Sequence, residues 1–474
     1  MTTPRRAPGV WTKIFYGFGS VAFGVKDNGF AFFLLLYYNQ VLGLPESWVG
    51  FGIMIALFAD ALFDPLVGYA SDHLRSPWGR RHPFMYASAV PVAVAYYFLW
   101  NPPAALSNAQ LFVYFAALAI LVRILIACYE IPSSSLVAEL TDNYDDRTSI
   151  LSYRFVFGWW GGLTVAVLAY SVFLTPDAAY PVGVLNRAGY ERYGLVASVI
   201  MAVAIVISAI GTHSYIPYLR KPPDTHHRGL RGALSEFRQT LANRSFFALF
   251  GAGIFGGMGA GIAAALTIYF NTYFWELTSP QMSFLAMLNF VSAFIAFAIT
   301  PRLSVRFGKR AAALASALIV IIFGPAPIFL RLLGLFPENG SPLLIPTLAV
   351  VNTILVTLFI MASILVTSML ADVVEESEVS TGRRSEGVFF AANAFVQKSV
   401  SGIGIFTSTL LLNAIDFPRG AQPGSVPPEI VRNLGLVYAP TFMVLFLLML
   451  ACVSAYGISR ASHEANLQRL GRAN

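Results

Sequence analysis

This chain is short of charge. Only 12% of its 474 residues are Asp, Glu, Lys or Arg, while 57% are hydrophobic and the mean hydropathy is +0.66. A soluble globular domain carries about a quarter charged residues. Cysteine is scarce as well. Cys128 and Cys452 both fall inside apolar runs, which excludes a disulfide framework. No phosphate-cradling Gly-rich loop with its Lys is present, so ATP is not the expected energy source. His73, His82, His213, His226, His227 and His463 fall in loops or near the ends of apolar runs, without metal-ligand spacing inside a run, so no metal site is expected. No reactive constellation of acids and metal ligands stands beside a membrane edge, and an enzyme is not expected. Short alternating segments are missing too, which argues against a β-barrel. The first apolar run ends in no small-residue cleavage site, so it is expected to stay as a helix.

Long apolar runs are what the chain has in plenty. A spanning helix needs about 20 mostly apolar residues. Twelve runs qualify: 12–41, 47–71, 84–101, 109–139, 150–175, 193–218, 244–274, 280–301, 311–334, 342–371, 387–415 and 433–459. The expected fold class is an all-α membrane protein with 12 transmembrane helices. Expected boundaries are an N-terminal six-helix bundle over 1–218, a linker over 219–243, and a C-terminal six-helix bundle over 244–474 with a short tail. The linker, rich in Pro, His and Arg, is expected to be cytoplasmic, with a short amphipathic helix at 230–241.

The net charge of +7 and the pI of about 9.3 do not point to nucleic acid, because the bases sit in short connections between apolar runs. Arg5, Arg6, Lys13, Arg75, Arg80, Arg81, Arg302, Arg306, Lys309, Arg310, Arg383, Arg384, Arg460, Arg469 and Arg472 all fall on one side. The alternate loops "GLPES" and "NPPAALSNAQ" carry no base. By the positive-inside rule both termini are cytoplasmic. "GYASDHLRSPWGRRHP" after the second run is echoed by "TPRLSVRFGKRAAA" after the eighth. A glycine followed by two bases at equivalent places in two sets of six is the pattern of a transporter built from repeated halves.

Charges inside apolar runs each need a reason, because burying one in lipid costs at least about 2.5–3.5 kcal/mol on insertion scales. Lys26 and Asp27 lie in the first run, Asp60 and Asp64 in the second, Arg123 and Glu130 in the fourth, Arg154 in the fifth and Lys398 in the eleventh. Asp60 and Asp64 are four apart, one helical turn, and share a face. Arg123 and Glu130, seven apart, also share one. Two neighbouring carboxylates suit a cation: they chelate a hard ion, or share a proton. Asp60 and Asp64 are therefore the expected cation seat, and Lys398 the counter-charge when the seat is empty. Asp72 with Arg80 and Arg81 is expected to latch helices at the cytoplasmic edge. Glu375, Glu376 and Glu378 with Arg383 and Arg384 are expected to do the same in the other half. The "GWWGG" at 158–162 suits either a pyranose face or helix packing. The glycines at 251–261 suit close helix approach.

Four stretches carry a family resemblance: "FYGFGSVAFGVKDNGFAFFLLLYYNQVLGL", "DALFDPLVGYASDHLRSPWGRRHPF", "YEIPSSSLVAELTDNYDDRTSILSYRF" and "MLADVVEESEVSTGRRSEGVFFAANAFVQKS". Together they resemble the glycoside–pentoside–hexuronide:cation symporters, the melibiose-carrier branch of the major facilitator superfamily. The resemblance runs nearly end to end. It implies two six-helix bundles with inverted repeats, working by alternating access. It implies that Asp60 and Asp64 match the family's cation-site acids. Asp27, Glu130 and Arg154 match positions that contact the sugar, where melibiose carriers have Asp at the fourth-helix acid. Lys398 matches a lysine close to the cation site. Three departures follow from the same comparison. Phe63 stands where sodium-using carriers have Asn. Ala127 stands where they have a hydroxyl residue, and Ser134 where they have Trp. Losing two oxygen ligands favours H⁺ over Na⁺ as coupling ion.

Arg123 is an extra charge at a position where those carriers are small. It suits a clamp on a carboxylate or sulfonate, or else a pair with an acid such as Glu130. Lys26, Asp27, Arg123, Glu130 and Arg154 are thus the expected substrate-binding set. The expected function is cation-coupled symport of a sugar or glycoside, an anionic one such as a hexuronide included. The alternative is a carrier of a lysolipid or another amphiphile on the same fold. No cofactor is expected beyond the coupling ion, H⁺ or Na⁺. The expected partners are a small-molecule substrate and the lipid bilayer, with no nucleic acid. The expected state is a monomer spanning a bacterial inner membrane many times.

Overall fold

The structure is a computed structural model, and it describes residues 8–141, 144–219, 244–381, 386–458 and 462. The linker from 220 on, its expected helix at 230–241, Arg383 and Arg384, and the bases at both ends of the chain lie outside the described residues.

Among the described residues, twelve helices are long and apolar enough to cross a membrane. They are α1 Val10–Val41, α2 Glu46–His73, α3 His82–Trp100, α4 Asn108–Val137, α5 Ser149–Phe173 and α6 Arg187–His213. The second six are α7 Ser245–Phe274, α8 Ser279–Phe307, α9 Lys309–Leu332, α10 Leu344–Val379, α11 Asn393–Ala414 and α12 Pro428–Ser454. The helix carrying α4 runs on to Leu140. In lipid every backbone group must bond within its own segment, which makes helices the solution for such runs. Neighbouring helices also make internal prolines tolerable, and Pro65, Pro91, Pro132, Pro301 and Pro440 all sit inside spans. A capping box between Ser107 and Gln110 starts α4.

Three helices carry π-helical turns. α1 turns π-helical at Gly29–Phe33 and again at Tyr37–Val41. The last turns of α5 and α7 are π-helical at Ala169–Phe173 and Phe270–Phe274. Such turns are rare and cluster at functional places.

The chain divides into two compact units. One comprises Met1–Thr225, Ala264–Ala286 and Pro418–Val426; the other comprises His226–Ala263, Met287–Phe417 and Pro427–Asn474. In the first unit α1 packs on α5, α2 on α4 and α3 on α6. Gly24 explains how closely α1 and α5 approach: a Cβ there would lie 2.0 Å from the Gly158 carbonyl oxygen. One end of the unit is filled by aromatics. Trp100 stacks on Tyr190 with ring centres 5.8 Å apart, and Tyr37 donates a 3.0 Å hydrogen bond to the Trp100 carbonyl. The second unit has its own core, in which Phe246, Met369, Val373 and Tyr456 are buried together.

The repeat visible in the basic loops is borne by geometry. Gly79 and Gly308 both take a left-handed backbone, with φ of +72° and +82°, and each is followed at once by two bases. Asp60 precedes Gly79 by 19 residues, and Asn289 precedes Gly308 by 19. Each of these two residues bonds a residue 63 positions later. Arg123 donates to Asp60 at 3.1 Å, and Asn352 donates to Asn289 at 3.1 Å. The first link ties α2 to α4 and the second ties α8 to α10, the equivalent helices of the other half.

Candidate functional site

The intramembrane charges of the first unit form a chain of alternating sign. Asp60, on α2, has its side chain 1% exposed, and its Oδ2 lies 3.1 Å from Arg123 Nη1 on α4. The same Nη1 lies 3.8 Å from Asp27 Oδ1 on α1. That Oδ1 is 2.9 Å from Lys26 Nζ, which in turn stands 3.8 Å from Glu130 Oε2 on α4. The order is therefore Asp60, Arg123, Asp27, Lys26, Glu130. Lys26 is almost wholly buried, whereas the Asp27 carboxylate is 54% exposed. Arg123 also lies over the Phe30 ring, 4.5 Å from its centre.

Arg154, from α5, closes the far end. Its Nη1 donates to Ser133 Oγ at 2.9 Å and to Tyr16 Oη at 3.2 Å, and its Nη2 reaches the Glu130 carbonyl at 3.4 Å. The Tyr16 hydroxyl donates to the Ser133 carbonyl at 2.8 Å. The guanidinium also covers the Phe23 ring, 4.9 Å from its centre. Four helices thus contribute to one polar path, α1 supplying its pieces just before a π-helical turn.

Among these intramembrane groups, the carboxylates Asp27, Asp60, Asp64 and Glu130 outnumber the bases Lys26, Arg123 and Arg154 by one. Asp64 lies half-buried one turn along α2 from Asp60. Lys398, the expected counter-charge, lies half-buried in α11 of the second unit. Arg123, for which an anion clamp and a pair with an acid were both expected, has its side chain 5% exposed and pairs with Asp60. It does not pair with Glu130 across two turns of its own helix.

At the end of α2, Asp72, Arg80 and Arg81 do gather, but around a residue the sequence did not single out. Glu139 Oε1 takes Arg80 Nη2 at 2.6 Å, Arg80 Nε at 3.1 Å and Arg81 Nε at 3.2 Å. Asp72 Oδ1 lies 2.5 Å from Arg81 Nη2 and 3.9 Å from Arg80 Nη1. The corresponding cluster of the second unit joins Lys309 Nζ to Asp372 Oδ1 at 2.6 Å, with the Tyr456 hydroxyl 3.4 Å from Asp372 Oδ2. Lys309 of the basic loop thus bonds Asp372, one turn before Glu376. Glu139 and Asp372 each close a long apolar run, where an acid reads as a solvated helix terminus.

A second group that sequence reasoning missed lies where α1 ends. Tyr269 donates to Asn39 Oδ1 at 2.7 Å, and Tyr273 donates to Gln40 Oε1 at 3.3 Å and to the Ala421 carbonyl at 3.1 Å. Glu46 Oε2 meets Arg419 Nε at 3.1 Å. These bonds hold Ala264–Ala286 and Pro418–Val426 in the first unit. The Asn-Gln pair closing a long apolar run was the sign to follow. At "GWWGG", a Cβ on Gly162 would fall 2.6 Å from the Gly24 carbonyl oxygen, and Trp160 is exposed on the surface. The glycines of this stretch serve close packing.

The profile of the family described as MFS/sugar transport protein matches residues 15–460. An isoprimeverose transporter of Lactiplantibacillus pentosus is 26% identical over 85% of this chain and 80% of its own length. Sodium-dependent lysophosphatidylcholine symporter 1 of Homo sapiens is 26% identical over 97% of this chain and 88% of its own. Among solved structures, the partially occluded inward open form of the xylose transporter XylE from E. coli superposes with a TM-score of 0.63 at 15% identity, covering 95% of this chain and 99% of that one. That likeness establishes the fold. The chain belongs to the MFS/sugar transport protein family, the melibiose-carrier type of major facilitator, and is a multi-pass membrane transporter and not an enzyme.

Proposed function

We propose that this chain couples the entry of a sugar or glycoside to the flow of protons, by alternating access across a bacterial inner membrane with both termini in the cytoplasm. One observation carries the reading: a continuous path of alternating charge runs through three membrane helices, with Asp60 and Lys26 almost wholly buried. A buried ion pair is rarely favourable enough to be kept for stability alone. An excess of one carboxylate calls for one mobile positive charge. The seat is Asp60 and Asp64. Asp27, Glu130 and Arg154 face the sugar.

The relative from Homo sapiens is named sodium-dependent. Here Phe63 and Ala127 bring no oxygen to the seat, which disfavours Na⁺ and leaves a carboxylate to a proton. Arg123 pairs with Asp60, so an acidic substrate would have to displace a carboxylate already in place, and a neutral sugar or glycoside is the better fit. The second reading, carriage of a lysolipid, is supported by the name and full-length match of that same relative.

The test is solute-driven pH change in cells expressing the chain, across neutral and acidic glycosides, with and without Na⁺, beside Asp64→Asn. Alkalinisation specific to one glycoside, indifferent to Na⁺ and lost in the variant, is the expected outcome. A strict Na⁺ requirement would refute proton coupling. Silence with every glycoside, together with uptake of a lysolipid, would favour the second reading.

A further inference from the structure

We propose that Arg123 is a resident cation: it takes the place beside Asp60 that a metal ion would occupy, and so determines which coupling ion the site admits. The inference rests on the reading of Asp60 and Asp64 as the cation seat and names the residue that sets its selectivity.

Three observations carry it. Arg123 Nη1 lies 3.1 Å from Asp60 Oδ2 and 3.8 Å from Asp27 Oδ1, so one guanidinium serves two carboxylates. Both the Arg123 and the Asp60 side chains are buried, and the guanidinium is covered by Phe30, so water screens little of its charge. The same cross-link exists in the other half without charge, as Asn289 and Asn352. The link between these helices is thus a repeated feature of the scaffold, and the first half has filled it with an acid and a base.

The chemistry follows from what a guanidinium is. It stays protonated at any working pH, so its charge is permanent. It is more weakly hydrated than an ammonium and tolerates burial well. A sodium ion approaching Asp60 would meet a fixed like charge within a few ångströms, and would need oxygens that Arg123, a donor only, cannot supply. Removing the guanidinium takes that fixed like charge away from the Asp60 carboxylate. A serine at 123 would also add one oxygen.

The experiment uses the full chain, purified in detergent, with Na⁺ itself as probe. Binding of radioactive Na⁺ is measured by scintillation proximity. Melting midpoints are compared in sodium chloride and choline chloride at equal ionic strength. Wild type is expected to show no saturable Na⁺ binding and the same midpoint in both salts. Arg123→Ser is expected to bind Na⁺ saturably, where wild type does not, and to melt higher in sodium. Arg123→Lys, which keeps the charge, is expected to behave as wild type.

Saturable Na⁺ binding by wild type, or a folded Arg123→Ser that gains none, overturns the inference. If Arg123→Ser does not fold in either salt, Arg123→Asn decides, because it places the amide of the second half at 123 and keeps the Asp60 carboxylate. Saturable Na⁺ binding by Arg123→Asn supports the inference; its absence, or failure of this variant to fold as well, overturns it. Adding Asp64→Asn to Arg123→Ser separates the two readings. If the gain of Na⁺ binding survives, Arg123 guards Asp60 alone, and the two-acid seat proposed above fails while this inference stands.

Discussion

Neutralising Glu139 is predicted to damage the fold far more than neutralising its more visible neighbour Asp72. Three hydrogen bonds from two guanidiniums converge on the one oxygen Glu139 Oε1. The Glu139 side chain is 3% exposed, against 46% for Asp72. Taking the charge from a buried ion pair while its partners stay costs about 3–5 kcal/mol. Losing an exposed pair costs about 1 kcal/mol or less. Glutamine keeps the shape and one acceptor, so the loss in Glu139→Gln reports charge. The assay is thermal unfolding of the full chain in detergent, followed with a thiol-reactive dye that reads Cys128 and Cys452 as they leave their helices. Glu139→Gln should lower the midpoint several times further than Asp72→Asn. Adding Arg80→Gln to Glu139→Gln removes one of the stranded cations and should cost less than Arg80→Gln alone, a coupling that a mutant cycle isolates. Equal losses in the two single variants, or full additivity of the pair, would refute the assignment of Glu139 as the hub.

The other predictions are briefer. Gly24→Val puts a side chain where the Gly158 carbonyl oxygen is 2.0 Å from the Cβ, so size-exclusion profiles should show aggregate in place of a monodisperse peak. Tyr273→Phe removes the hydroxyl that bonds Gln40 and Ala421, and should cost about 1 kcal/mol in the same melting assay. A double-mutant cycle on Lys309→Met and Asp372→Asn should return a coupling of about 1–3 kcal/mol, because the pair stands 2.6 Å apart with Asp372 buried.

All twelve spans were legible as runs of hydropathy, because lipid imposes one solution on each run. The charges worth attention were legible too, since each violates the composition around it. Their partners were not. Arg123 and Glu130 share a helix face, but seven residues advance the helix by about 10 Å, too far for direct pairing. Which acid each base meets is set by the vertical register between helices, and register depends on packing such as the contact of Gly24 with Gly158. The π-helical turns after Asp27 were equally hidden, because widening a hydrogen-bond register leaves no mark on hydropathy. Glu139 escaped for a different reason. At the end of an apolar run an acid reads as a solvated helix terminus, and only the fold brings the basic loop back onto it.

Comparing the two halves separates scaffold from chemistry. The left-handed glycine, the bases after it and the acid they reach occur in both halves, as Gly79 with Glu139 and as Gly308 with Asp372. A feature needed twice serves the architecture common to both repeats. The link between the second and fourth helix of each half also occurs twice, but in different chemistry: Asp60 with Arg123 in one, Asn289 with Asn352 in the other. An amide pair shows that a neutral bond suffices to join those helices. The charge in the first half therefore needs a reason other than joining them. Asp60 and Arg123 lie at one end of a path that continues through Asp27 and Lys26 to Glu130. A neutral link there would leave Asp27 without its second base, and the path would end one step short of α2. The charge at this link is thus a property of the path.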